Sequence, residues 1–169
     1  MTPSCPRAAI TTSAVLLLLV ALSACGPSGT PELSVSPAQA AVPTSGSSQI
    51  AVAITNDGDG DDELVEATTP AALGIELHVT EIEDDRATMR ELDTIPLPAG
   101  ETTRLRPGGL HLMMIVPDET VVEGGTFDLT LRFDRAEDIT VPVEVVPLLD
   151  LAENSFDQDS SDEDALDED

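Results

Sequence analysis

Alternation of apolar and polar residues is the feature that most limits how this chain can fold. Large apolar side chains occupy every second position within residues 49–54, 75–80, 127–133 and 139–145. Side chains of a strand point alternately to its two faces, so each run indicates a β-strand with one buried face. Glycine, proline and aspartate interrupt the runs at short intervals, which is typical of antiparallel strands. No stretch has the apolar spacing of a convincing amphipathic helix.

The strand-rich part of the chain has the length of one domain. It covers residues 49–148, and about 100 residues are enough for a single modest core. Several short alternating runs predict two packed antiparallel sheets. We therefore expect an all-β fold, a Greek-key β-sandwich or barrel.

The N-terminus has the form of a processing signal. A nine-residue apolar run, residues 14–22, follows the early charge of Arg7 and is too short to span a bilayer. It ends in Leu22-Ser23-Ala24-Cys25, which resembles the lipobox of bacterial lipoproteins. That resemblance implies that residues 1–24 are removed and that Cys25 carries a lipid, which would anchor the protein to a membrane in the extracytoplasmic cell envelope. An ordinary secretory signal with a chance cysteine is the alternative.

Two segments outside the strand-rich part have biased compositions. Residues 25–48 are rich in proline, serine, glycine, threonine and alanine, and we expect a flexible tether. Residues 149–169 include ten acidic residues among the last twenty, and we expect a disordered acidic tail.

The charge of the chain excludes one class of partner. The chain contains 33 aspartates and glutamates but only seven lysines and arginines, which gives a formal net charge of −26. Binding to nucleic acid depends on basic patches, so nucleic acid is not expected as a partner.

Both histidines and two methionines form a single spaced pattern. Ten residues separate His78 from Met89, 21 separate Met89 from His111, and one separates His111 from Met113. Two imidazoles and two thioethers make a neutral, soft set of four ligands, which suits Cu(I) better than hard cations. The pattern predicts a Cu(I) site at these four residues.

Strand parity predicts how the four side chains could meet. His111 and Met113 are two residues apart and share one face, whereas Met114 points to the other face and is expected in the core. A charged turn near residues 83–86 predicts a hairpin. If this turn contains an even number of residues, Thr80 lies opposite Met89, and Met89 then shares a face with His78.

These residues and their surroundings resemble the PCuAC-type periplasmic copper chaperones. The resemblance covers residues 48–146 and departs at Glu91, where the family often has proline, and at Leu110, where it often has an aromatic residue. The similar stretches are Ala53-Ile54-Thr55-Asn56, Glu76-Leu77-His78, Met89-Arg90, Pro96-Leu97-Pro98-Ala99-Gly100-Glu101 and Leu105-Arg106-Pro107-Gly108-Gly109-Leu110-His111-Leu112-Met113.

The resemblance implies a cupredoxin-like β-sandwich that binds Cu(I) near its surface. It implies delivery of copper to the CuA subunit of cytochrome c oxidase, or to a thiol-containing protein of copper assembly. We expect a monomer in this role.

Three other functions remain open at the level of sequence. A copper-buffering or resistance protein would use the same ligands as a chaperone. A metal-free interaction module of the envelope would bury Met89 and Met113 in its core. An enzyme could combine the two histidines with Glu76 into a catalytic zinc site. We expect no enzymatic activity, because Glu76 shares a strand with His78 and no companion that would activate water is evident.

Overall fold

The structure, a computed structural model, describes residues 29–83 and 86–160, and the side chains of residues 29–82 and 86–154. The predicted signal peptide, Cys25 and residues 161–169 lie outside the described residues. Eleven strands and one helix form the described chain. In order they are β1 Leu33–Val35, β2 Ala38–Ala41, β3 Ser47–Asn56, β4 Asp62–Thr68, β5 Ala72–Glu83, β6 Arg86–Leu92, β7 Ile95–Leu97, β8 Thr102–Leu105, β9 Leu110–Pro117, β10 Thr126–Phe133, β11 Ile139–Val146 and α1 Leu148–Ser160.

The strands form one continuous sheet that folds back on itself. Nine of them follow the order β6-β5-β9-β3-β2-β11-β10-β4-β7, while β1 and β8 pair with β3. The long strand β3 belongs to the nine-strand path and also binds β1 and β8. Its first half pairs with β9 and β2, and its second half pairs with β8 and β1. Side chains from β5, β9 and β3 share one core cluster with side chains from β4, β10 and β11. The predicted all-β sandwich is therefore confirmed.

The alternating sequence runs account for the buried faces. In β10, Phe127, Leu129, Leu131 and Phe133 are buried, and the residues between them are exposed or half-buried. Neighbouring β11 pairs with β10 in antiparallel register and buries Val143 and Val145 in the same core. Period-two patterning thus places one face of each strand inside the sandwich.

The structure differs from the predicted tether at residues 25–48. Strand β2 lies between β3 and β11 and runs parallel to β11, with Ala38 and Ala40 buried in the core. Alanine has a low intrinsic preference for strands, so the backbone pairing on both sides of β2, rather than local sequence, determines its conformation. The folded domain begins ahead of residue 49.

The structure also differs from the predicted disorder that begins at residue 149. Residues 148–160 form α1, and Leu151 is buried in a small cluster with Ala41, Ala51 and Val146. The backbone N–H of Leu151 donates to the carbonyl of Pro147, 3.0 Å away, and Asp150 lies in the first turn, where a negative charge is favourable. The helix covers the outer face of β2 and β3.

Within the described residues, no helix is long and apolar enough to cross a membrane.

Candidate metal centre

Three adjacent strands carry the four residues of the His–Met pattern. His78 lies on β5, Met89 on the neighbouring β6, and both His111 and Met113 on β9. In the antiparallel registers, His78 is paired with His111 and Met89 with Thr80. The predicted hairpin register is confirmed. Because directly paired residues of antiparallel strands share a face, all four side chains lie on the same outer face of the sheet.

Adjacent methionines of β9 occupy opposite faces. Met114 is completely buried and belongs to the main core cluster, as predicted. Met113 belongs to neither of the two core clusters, although its exposed fraction is only 8%. It is paired with Glu76 of β5 on one side and with Gln49 of β3 on the other. Its thioether therefore lies on the histidine face, under partial cover.

A tight turn before β9 holds the ring of His111. Gly108 has a φ of 83°, a conformation that glycine adopts without strain, and the N–H of Gly109 donates to the carbonyl of Arg106 at 3.2 Å. The carbonyl of Gly109 accepts a hydrogen bond from His111 Nδ1 at 3.0 Å. Since Nδ1 carries the proton in this bond, Nε2 of a neutral ring has a free lone pair. Among the described residues, this buried Nε2 has no hydrogen-bond partner.

Burial keeps His111 in its neutral form. The ring is fully buried, and loss of hydration lowers the pKa of His111 below its usual 6.5. The hydrogen bond to Gly109 raises this pKa, and the neighbouring His78 lowers it, but the desolvation effect is the largest. A neutral imidazole is the form that binds a metal ion.

Glu76 holds the ring of His78 by the opposite nitrogen. His78 Nε2 lies 3.0 Å from Glu76 Oε2, two residues earlier on the same strand. With Nε2 donating to the carboxylate, Nδ1 has the free lone pair, and within the described structure this buried Nδ1 has no hydrogen-bond partner either. The two imidazole rings meet edge to face, with centroids 5.7 Å apart and planes at 82°. Two facing rings thus each present one nitrogen without a partner.

Met89 differs from the other three residues in its exposure. The exposed fraction of Met89 is 56%, and it lies on β6, the terminal strand of the sheet. Glu91, two residues further along β6, is paired with His78. On the opposite face of the same hairpin, Arg90 and Glu81 form an exposed ion pair at 2.9 Å, and the hydrogen bond and charge of Arg90 lower the pKa of Glu81. The carboxylates of Glu76 and Glu91 are the ones on the histidine face, and they favour a bound cation there.

Two features of the centre were missed in the sequence. The sequence suggested Glu76 only as a third zinc ligand, whereas its carboxylate is hydrogen-bonded to His78. Strand parity would have indicated this contact, since residues two apart share a face. No sequence pattern indicates that the Gly109 carbonyl would contact His111, because the orientation of this carbonyl depends on the conformation of the turn. In the described part of the chain, no three His, Cys, Asp or Glu side chains form a group that could hold a metal ion.

Comparison with protein families identifies the family of this chain. Residues 33–145 match the family described as "Putative lipoprotein LpqE-like". A relative from Leifsonia xyli subsp. xyli (strain CTCB07), described as "Putative lipoprotein Lxx21020", is 35% identical over 100 residues. This match spans 59% of the present chain and 58% of the length of that relative.

Solved structures with a similar fold come from copper-related proteins. The copper-bound PCuAC domain from PmoF2 superimposes with a TM-score of 0.58 and 20% identity, covering 68% of this chain and 92% of that domain. The solution structure of CuI-DR1885 from Deinococcus radiodurans gives a TM-score of 0.55 and 26% identity, covering 65% of this chain and 75% of that one. These similarities confirm the cupredoxin-like β-sandwich. The chain belongs to the LpqE-like lipoprotein family and has the fold of PCuAC domains.

Proposed function

We propose that this protein binds one Cu(I) ion as cargo on the outer face of β5, β6 and β9. The ligands would be Nδ1 of His78, Nε2 of His111 and the thioethers of Met89 and Met113. The observation that carries the proposal is the pair of buried imidazole nitrogens without hydrogen-bond partners in the described structure. Buried polar atoms are nearly always satisfied, so two such atoms on facing rings indicate a ligand.

The chemistry of the four donors favours Cu(I). Thioethers are soft ligands, and a neutral set leaves the single positive charge of the ion uncompensated by the ligands themselves. Glu76 and Glu91 lie close enough to balance that charge from outside the ligand set. Neither methionine has to lose a proton, so only the histidines make binding sensitive to pH. Copper does not have to displace a proton from Nε2 of neutral His111.

The comparisons support copper as the metal. One similar structure is a copper-bound domain, and another is described as CuI-DR1885. The His–Met pattern that resembles the PCuAC family lies within the matched residues 33–145. The likeness to a copper-bound PCuAC domain also supports a non-enzymatic role.

The first experiment measures Cu(I) affinity by competition with a coloured chelator. Loss of His78 or His111 by substitution to alanine should weaken binding by more than the roughly 10- to 100-fold typical of losing a second-shell partner. The matched pair is Met113→Leu and Met114→Leu, the same change on opposite faces of β9. We expect Met113→Leu to weaken binding and Met114→Leu to bind as the wild type does.

Three results would contradict the binding proposal. A wild-type protein that does not compete with the chelator for Cu(I) would favour the metal-free interaction module. Equal losses in Met113→Leu and Met114→Leu would show that the outer face of β9 is not the binding face. Tighter binding of Zn(II) than of Cu(I) would instead favour the zinc enzyme.

We further propose that the protein delivers its copper and acts at a membrane surface. The resemblance to PCuAC chaperones favours the CuA subunit of cytochrome c oxidase, or a thiol-containing assembly protein, as the acceptor. Membership of a lipoprotein family supports acylation of Cys25, which lies outside the described residues. Oxidase activity in a deletion strain under copper limitation tests delivery: reduced activity supports it, and normal activity together with copper sensitivity favours a buffering role.

A further inference from the structure

The four proposed ligands are not equally supported by the sheet. Strand β5 is paired with β6 on one side and β9 on the other, and β9 is paired with β5 and β3. His78, His111 and Met113 therefore lie on strands held from both sides. Met89 lies on β6, which ends the sheet and, among the described strands, is paired with β5 alone.

Exposure follows the same division. His111 is fully buried, Met113 is 8% exposed, and only about one seventh of the His78 side chain is accessible, at 15%. Met89 is 56% exposed, and every residue of β6 from Arg86 to Glu91 is exposed. Both rings are also fixed by a hydrogen bond each, to Glu76 and to the Gly109 carbonyl.

We propose that Met89 is the exchange ligand of the site, the donor that a copper acceptor replaces first. This inference rests on the proposed function. The acceptor approaches across the exposed β6 edge and brings a soft sulfur donor, a thiolate or a thioether. His78, His111 and Met113 hold the ion during this step.

The exchange is a simple substitution at copper. The bond from copper to Sδ of Met89 breaks, and a bond from copper to the sulfur of the acceptor forms. Copper stays Cu(I), so no electron is transferred. Where the incoming donor is a thiol, its proton passes to solvent as the thiolate binds. The soft character of both sulfur donors makes them interchangeable for this ion.

Physical costs make Met89 the weakest of the four ligands. A free methionine side chain loses rotamer entropy when it is fixed, and the mostly exposed Met89 has more freedom to lose than the covered Met113. An exposed donor also competes with water and with other ligands in solution. Loss of Met89 should therefore reduce affinity less than loss of Met113.

The test compares Met89→Leu with Met113→Leu, the same chemical change at the two thioethers. In chelator competition, we expect Met113→Leu to lose at least about tenfold more affinity than Met89→Leu, a difference of about 1.4 kcal/mol. In stopped-flow experiments with bathocuproine disulfonate, Met89→Leu should release copper faster than the wild type. Circular dichroism of both variants verifies that they fold.

A second measurement follows the order of exchange in the wild-type protein. Methionine methyl signals are recorded by NMR while dithiothreitol is added to the Cu(I)-loaded protein. The Met89 methyl should return to its copper-free position at a lower dithiol concentration than the Met113 methyl. Simultaneous return, earlier return of Met113, or equal affinity losses in the two variants would overturn the exchange role. Absence of Cu(I) binding by the wild type would instead refute the proposed function itself.

Discussion

The hydrogen bond to Glu76 determines which nitrogen of His78 keeps a free lone pair. The carboxylate is 3.0 Å from Nε2 and thereby leaves Nδ1 as the free donor, whereas His111 is held at Nδ1 and leaves Nε2 free. Hydrogen bonds from histidine to a carboxylate or a carbonyl are a general means of orienting metal ligands. His78 is held by the carboxylate and His111 by the carbonyl, so a different ring nitrogen is left free in each.

Substitution of Glu76 should separate an orienting role from a role as ligand. Glu76→Leu removes the hydrogen bond, and we expect Cu(I) affinity to fall about 10- to 100-fold. Glu76→Gln retains an acceptor and should recover part of this loss. The ¹⁵N chemical shifts of the His78 ring report the tautomer directly. Unchanged tautomer and unchanged affinity in Glu76→Leu would refute the orienting role.

Burial of His111 makes the stability of the copper-free protein depend on pH. The folded pKa of His111 is lowered, so below the unfolded value of 6.5 the unfolded chain binds a proton that the folded chain does not. The contribution of neutral His111 to the free energy of unfolding is therefore fully present above pH 6.5. It decreases as the pH drops from there toward the folded pKa of His111. The slope for one proton does not exceed about 1.4 kcal/mol per pH unit.

Urea unfolding between pH 7.5 and pH 5.5 measures this dependence. The wild-type protein should lose more free energy of unfolding over the interval than His111→Gln, which has no imidazole to titrate. The difference between the two slopes, rather than the stability at any one pH, is the relevant quantity. Parallel slopes would show that burial of this ring does not affect the proton balance.

At the level of elements, the strands were predictable where their signal is local. The alternation in β10 and the opposite faces of Met113 and Met114 follow from the period of two. The register of β5 with β6 depends on the length of one turn, and the observed pairing of Thr80 with Met89 is the one expected for an even-numbered turn. The order of strands is not local, so the exposed position of Met89 at the sheet edge was not evident from the sequence.

Helix α1 shows why contacts between distant parts of the chain could not be predicted from the sequence. Its composition is acidic, and its burial depends on Leu151, whose cluster partners Ala41 and Ala51 lie about 100 residues earlier in the chain. Alanines leave room for a large side chain on the outer face of β2 and β3. A contact between distant small residues and one leucine leaves no periodic pattern in the sequence by which it could be recognised.

Two leucines of α1 form a matched pair for testing this contact. Leu151 is completely buried, whereas Leu149 is 77% exposed. We expect Leu151→Ala to reduce the free energy of unfolding by about 2 kcal/mol or more. Leu149→Ala should change it by no more than about 0.5 kcal/mol. Chemical denaturation measures both, and equal effects would mean that α1 does not stabilise the domain.

For the whole molecule, pairing of β2 with β11 joins the two ends of the domain. Residues 38–41 pair in parallel with residues 143–146, so the sheet is complete only when both ends of the domain are in place. Long-range pairings of this kind slow folding. The strands of the candidate metal centre, β5, β6 and β9, occupy the middle of the sequence and pair with closer neighbours.

Membrane attachment is a property of the whole chain and has a matched cysteine control. Cys25→Ser should move the protein from the membrane fraction to the aqueous fraction, because a lipid anchor requires the cysteine sulfur. Cys5→Ser lies in the predicted signal segment and should leave the fractionation unchanged. Retention of Cys25→Ser in the membrane fraction would refute the anchor. Copper affinity should be the same in both variants.

Hydrogen bonds at the start of the described chain limit how far an anchored domain could stand from its bilayer. The N–H of Thr30 donates to Asp59 at 2.8 Å, and Arg135 donates to the carbonyl of Gly29, which fastens the segment to the sandwich. If Cys25 carries the lipid, only four residue steps remain before Gly29, at most about 14 Å of extended chain. An anchored domain would therefore stay next to the bilayer surface, and its copper would be released there.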